Sequence, residues 1–146
     1  MYESDRSSYA LDAQPGFQQL KFSGENMKRD LELIREILLA VETADGDPME
    51  WIDLELPGRS ASIVSYHVKM LRDAGLLEAI DLSDLSGSCW KPRSLTWSGH
   101  EFLDAARNDT VWNKALSTVK DKAASVPFEI LKAVVIKTCK DFFGVG

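Results

Sequence analysis

Between Ser62 and Ile80 the chain reads SIVSYHVKMLRDAGLLEAI. Val64, Val68, Leu71 and Ala74 recur at steps of three and four, with Ile63 beside them, which predicts an amphipathic helix over 61–74. Ser62, Ser65, Tyr66, Lys69 and Arg72 fall on the opposite stripe. Gly75 stops the helix, because glycine adopts the left-handed conformation without a Cβ penalty. Leu76, Leu77, Ala79 and Ile80 then predict a strand straight after it. A helix of about four turns, a glycine stop and an immediate strand is the order in which the recognition helix of a winged helix-turn-helix enters its wing.

Upstream of this stretch, residues 1–26 are rich in Ser, Gln, Gly and acids without periodicity and are expected to form a flexible tail. The Met-Lys-Arg-Asp run at Met27 is a reasonable protein start in its own right, so the native start is expected at either Met1 or Met27. A first helix is expected from Met27 to Thr43, capped by Asn26. It would bury Leu31, Ile34, Ile37, Leu38 and Val41 and leave Lys28, Arg29, Glu32, Arg35 and Glu36 solvated. Residues 44–48 read as a loop that lacks the ligand ladder of a calcium site. Trp51 to Leu56 alternates apolar and acidic residues, which predicts a strand with one buried face, ended by Pro57 and Gly58. Only Arg59, Ser60 and Ala61 stand between that strand and the next helix. The second helix of a standard winged helix is therefore expected to be absent or cut to one turn.

Downstream, residues 81–93 are turn-rich and long enough for a wing loop whose basic residues are Lys91 and Arg93, with Leu95 and Thr96 returning as a strand. Ser98 and Glu101 have capping-box spacing ahead of a helix that turns Phe102, Leu103 and Ala106 inward. Asn108, Asp109 and Thr110 break that helix and cap the next, in which Trp112, Ala115, Leu116, Val119 and Ala123 repeat at helical spacing. A last helix opens at Ser125, Val126 and Pro127 and is apolar over more than half its circumference. Exposing both of its apolar stripes would leave a patch that monomers seldom carry. It is expected to lie between other helices or against a second copy, with Phe128, Leu131, Val135 and Phe142 as the dimer interface.

At 146 residues the chain suits one domain with an extension. Cys89 and Cys139 do not make a disulfide framework, the N-terminus is polar and acidic, and apolar runs are short. A cytoplasmic protein with no membrane span is expected. The net charge of −6 divides as −8 over residues 1–57, −1 over 58–109 and +3 over 110–146. Binders of nucleic acid ordinarily offer a basic face, because neutralised phosphates supply most of their affinity. His67, His100 and the two cysteines show no paired metal-ligand spacing, and neither a phosphate-binding glycine loop nor a nucleophile elbow occurs, so neither metal, cofactor nor enzymatic activity is expected. The four tryptophans, Trp51, Trp90, Trp97 and Trp112, are expected to pack in the core.

The run from Val64 to Leu77 resembles the recognition-helix signature of bacterial winged-helix repressors of the arsenic-sensor class, in which a serine and a histidine precede a leucine-rich turn and an alanine-glycine-leucine exit. Leu95 to Leu103 resembles the passage from wing to final helix in the same superfamily. From Met27 to about Phe143 the chain is similar to an uncharacterised bacterial and phage family with a Met-Lys-Arg-Asp helix, a Ser-Tyr-His-Val motif and an Asp-Thr-Val-Trp-Asn segment, matched here by Asp109 to Asn113. That resemblance implies a winged helix in a prophage or mobile-element setting.

The expected fold is α+β: a flexible tail at 1–26, a winged helix-turn-helix with a reduced second helix at 27–108, and a C-terminal two-helix extension at 109–146. Ser62, Ser65, Tyr66, Lys69 and Arg72 would meet a DNA major groove, and Lys91 and Arg93 the neighbouring backbone. At most about five phosphates could be neutralised per chain, each adding about 0.9 to the salt slope. Two roles follow: a DNA-binding transcriptional regulator on double-stranded DNA, or a winged helix used as a protein–protein interaction module, such as a phage accessory or counter-defence protein. Either would act as a homodimer.

Overall fold

The computed structural model describes residues 27–119 and 126–144. The tail at 1–26, Asn26, Ala123 and Ser125 lie outside these residues. Among the described residues, five helices and one antiparallel hairpin follow in order: α1 (Leu31–Thr43), α2 (Ala61–Asp73), β1 (Leu77–Asp81), β2 (Trp90–Leu95), α3 (Trp97–Ala106), α4 (Asp109–Val119) and α5 (Phe128–Phe142). The class is α+β.

The first helix starts four residues later than the periodicity predicts. Asp30 is its cap and accepts from the Leu33 N–H at 3.1 Å. The Asp30 N–H is itself taken by Nε2 of His67 at 2.8 Å, so the chain before Asp30 has no reason to coil. His67 is fully buried, and its Nδ1 lies 2.9 Å from the Ile63 carbonyl. An Nε2 that accepts leaves the ring proton on Nδ1, which donates to that carbonyl. α2 opens on Ser60, whose hydroxyl accepts from the Ile63 N–H, and stops at Gly75 in the left-handed region (φ +79) as expected.

The alternating segment from Trp51 to Leu56 is extended but is not a strand. Its single ladder bond runs from the Ile52 N–H to the Pro92 carbonyl at 2.7 Å. Pro92 has no N–H to return, so the pairing does not propagate. The alternation itself holds, with Ile52, Leu54 and Leu56 half-buried and Asp53 and Glu55 exposed. No residue from 44 to 60 is helical.

In the hairpin, Leu77 pairs with Leu95 and Glu78 with Ser94, and then Ala79 pairs with Pro92. Arg93 is the unpaired residue of a bulge. Trp90 to Arg93 thus belong to β2, not to a wing loop as expected. The loop proper, residues 82–89, contains no lysine or arginine. It is closed by a bridge between Asp84 and Gly87.

The capping box at Ser98 does not form. Thr96 caps α3, its Oγ1 accepting from the Gly99 N–H at 3.0 Å. The same hydroxyl donates to the Gly75 carbonyl at 2.5 Å, and the Thr96 N–H donates to the Leu76 carbonyl at 3.1 Å. The start of α3 therefore sits on the exit of α2. A Cβ at Gly99 would fall far inside contact distance of the Leu76 carbonyl oxygen and 2.9 Å from its carbon.

One apolar core joins all five helices, from Leu33, Ile37 and Leu38 of α1 through Val68, Leu71, Phe102, Leu103 and Trp112 to Leu131 and Val135 of α5. Asn108 caps α4 through the Thr110 and Val111 N–H groups, as its position in the sequence suggests. Trp112 is buried and donates from Nε1 to Glu32, and Trp90 is half-buried. Trp51 and Trp97 are exposed, contrary to the core placement expected of them, and Trp97 is 80% accessible. Leu131 and Val135 face the protein's own core and are not free to meet a second copy. Phe128 packs on Phe102 (5.4 Å between ring centroids), and Phe142 is exposed against Phe143. The core thus takes Leu131 and Val135 fully and Phe128, Val134 and Ile136 in part, while Ile130, Phe142 and Phe143 are exposed.

Arg59 ties the start of α2 back to α1 through Asp30 (2.8 Å) and Glu36 (3.1 Å). Burial disfavours the charged form of Asp30, but the Leu33 N–H and the Arg59 guanidinium outweigh it, and its pKa falls below the ordinary 3.8. A carboxylate depressed in the folded state adds stability above its unfolded value and loses it as pH falls through the folded one. Arg59→Met is expected to cost about 1 kcal/mol at pH 7, kept small by the exposure of the pair. Its difference from wild type should shrink below about pH 4; urea titrations at neutral and acid pH measure this. Gly99→Ala is expected to cost about 3 kcal/mol by overpacking against the backbone of Leu76, read as a lower urea midpoint at unchanged slope.

Candidate interaction surface

The outward stripe of α2 carries less free chemistry than the helical pattern implies. Ser62 is exposed, and Tyr66 is half-buried with its ring edge-on to His67 at 5.9 Å. Ser65 does not point outward at all. It is only 5% accessible, accepts from the Trp90 N–H at 2.8 Å and lies 3.2 Å from the Ser88 hydroxyl, so it fastens α2 to the hairpin. Helical spacing could not show this, because a small hydroxyl on the border of a stripe fits either side.

The basic residues are spoken for as well. Lys69 and Arg72 both reach Asp73, at 3.1 and 3.3 Å, and the Arg72 guanidinium also stands 5.4 Å from the centre of the Trp90 ring. Lys69, and to a lesser degree Arg72, hold the Asp73 carboxyl below its usual range. Asp81 is held low first by the Ser83 hydroxyl and N–H and then by the charges of Arg72 and Lys69. Two cations thus face two firmly ionised acids. Lys91 is paired with Asp53, which raises its pKa. Arg93, thrown inward by the bulge, buries its Nε without a hydrogen-bond partner. It lines a cavity of about 190 Å³ with Glu42, Asp45, Asp47 and His100, and is not extended toward a nucleic-acid backbone. Ser62, Tyr66, Lys69 and Arg72 therefore share one face, whereas Ser65 and Lys91 serve other contacts and Arg93 is turned into the cavity.

The larger concavity lies beside that face and was not anticipated. A groove of about 710 Å³ runs between the extended segment at 52–57, the outer edge of β2 and the first turns of α2. Ile52, Leu54, Leu56, Val64, Trp90 and Pro92 give it an apolar lining; of its charged residues, Lys91 is paired with Asp53 and Arg59 with Asp30 and Glu36, which leaves Glu55 without an ion pair among the described residues. The sequence signal for it was the conjunction of an alternating run ending in Pro-Gly with a proline in the returning strand, which prevents the two from zipping together.

Among the described residues no cluster of three or more His, Cys, Asp or Glu is placed to hold a metal ion. Both nitrogens of His67 are already engaged, and Cys89 and Cys139 are free thiols. None of the described helices is long and apolar enough to cross a membrane.

Comparison with known proteins gives a family but no activity. Residues 28–125, from the residues before α1 to just short of α5, match the family described as Hypothetical protein (DUF2513). A protein of Haemophilus influenzae strain Rd, described as uncharacterized, is 44% identical over 108 residues, which cover 74% of this chain and 92% of the relative. No solved structure matches. The family match takes in α1, α2, the hairpin, α3 and α4, so the groove and the α2 face are both built from the shared region, and the chain belongs to the DUF2513 family.

Proposed function

We propose that the protein is a binding module for another protein, built on a winged-helix-like core, and that it acts without DNA. The order helix, extended segment, helix, hairpin, helix supports the winged-helix reading. A single observation favours a protein partner: of the four cations that would have met phosphate, three are held in ion pairs on the protein and the fourth is turned into a cavity. Lys69 and Arg72 share Asp73, Lys91 holds Asp53, and Arg93 lies in the acidic cavity. The tip of the hairpin, where a wing would grip the backbone, is without a basic residue. Binding DNA draws its affinity from counterions released as cations neutralise phosphates. A cation that must first leave an internal carboxylate contributes little of that, and the carboxylate left behind repels the strand.

The DNA-regulator reading makes the opposite demand, and one titration separates the two. A fluorescently labelled random duplex of about 30 base pairs, at about 50 mM salt, should show no binding up to about 10 μM protein. Sub-micromolar binding that falls steeply with salt and disappears in Lys69→Glu would overturn the proposal.

A further inference from the structure

The groove beside α2 is bordered by residues 51–56, whose N–H groups are mostly unpaired, and by the outer edge of β2, which keeps one carbonyl to offer. In the segment from Trp51 to Leu56, the Ile52 N–H binds the Pro92 carbonyl and the Leu56 carbonyl accepts from Arg59. The N–H groups of Asp53, Leu54, Glu55 and Leu56 have no partner among the described residues. On the other wall, the alternation of an antiparallel strand sends the Trp90 N–H to Ser65 and the Pro92 carbonyl to Ile52, and so turns the Trp90 carbonyl to the same edge. Backbone donors and acceptors in an extended row are what an added strand pairs with. The two walls meet at Ile52 and Pro92, Lys91 reaches Asp53 across them, and the groove of about 710 Å³ lies between their remaining residues as a wedge.

Charge selects the occupant. Residues 45–57 contain Asp45, Asp47, Glu50, Asp53 and Glu55 and no lysine or arginine. Lys91 neutralises Asp53, whereas Glu55 is exposed with no charged partner among the described residues. Ile52, Leu54 and Leu56 turn the other way, toward the apolar lining. A strand laid along this edge places alternate side chains on the two faces. Its inward positions must be apolar to meet Val64 and Leu54, and its outward position beside Glu55 favours a cation, since opposite charges across a strand pair stabilise it and like charges oppose it. A second copy offering the same segment about a two-fold axis would bring acids against acids. The chain's own residues 1–26 carry four acids and two bases, the wrong sign for this site.

We infer that the wedge between residues 53–56 and β2 is a strand-addition site for an extended segment of a partner protein in which apolar residues alternate with lysine or arginine. This rests on the protein-binding reading and gives it a site and a chemistry.

The test uses the full chain and a fluorescein-labelled peptide of about six residues alternating valine and lysine. Saturable binding is expected, with amide hydrogen exchange slowed at Leu54 and Leu56, whose N–H groups share the edge of Ile52. Ala61→Trp, at an exposed position on the groove wall, should weaken binding at least about tenfold by filling the space. Glu55→Lys should weaken it by about fivefold to tenfold and raise affinity for the valine–glutamate peptide. Methylating alternate peptide nitrogens on the paired edge should abolish binding. Equal binding of the methylated peptide, or indifference to both substitutions, would mean bulk attraction to an acidic protein and would overturn the site. So would a dimer mass that collapses to a monomer in Ala61→Trp, which would seat a second copy in the wedge. Failure of the peptide with no affinity for DNA defeats the site alone. Tight DNA binding defeats the protein-binding reading, whatever the peptide does.

Discussion

The fold depends on the close approach of α3 to the end of α2. Gly75 turns the chain, Leu76 presents its carbonyl, and Gly99 lets the first turn of α3 lie directly on it. Thr96 completes the joint by donating from its hydroxyl to Gly75 and from its backbone to Leu76 while capping the helix it begins. Four elements meet at this joint: α2 enters it, β1 starts at it, β2 ends at it and α3 grows from it. Buried polar groups in so small a space must all be satisfied, and here each carbonyl has its donor.

The arginines have a comparable part in the scaffold. Arg35 binds the Ala106 and Arg107 carbonyls and Asp109, closing the turn between α3 and α4. Arg107 clasps Glu42 and Asp104, tying the end of α1 to α3, and Arg59 ties α1 to α2. A protein of net charge −6 has few cations to distribute, and this one uses them to join helices. On the outward face of α2, by contrast, Lys69 and Arg72 are offset by Asp73 of the same helix.

Helix periodicity made most of the architecture legible. α2 with its glycine stop, the break at Asn108 and the inward residues Phe102, Leu103, Trp112, Ala115 and Val119 all lie where the pattern puts them. What escaped were pairings decided by single atoms. Pro92 lacks the hydrogen that would have made 51–56 a strand, the bulge at Arg93 shifts one residue against its partner, and Thr96 outcompetes Ser98 as a cap because it can also reach Gly75. The candidate face was only partly legible for the same reason. Spacing reports which side of a helix a residue occupies, but not that Asp73 is within reach of both Lys69 and Arg72, nor that Ser65 has the Trp90 N–H to accept. The covered stripe of α5 shows the limit in another way, since an apolar helix announces that something must cover it without saying which neighbour does.

His67 gives a last consequence. With one ring nitrogen bound to the Asp30 N–H and the other to a carbonyl one turn back, the imidazole acts as a dowel between α1 and α2. A helix seated on apolar contacts alone can roll about its long axis at small cost, since neighbouring side chains are interchangeable in shape. A pinned one cannot. The azimuth of α2 is therefore set by a polar group deep in the interior, and with it which residues the molecule shows to the outside.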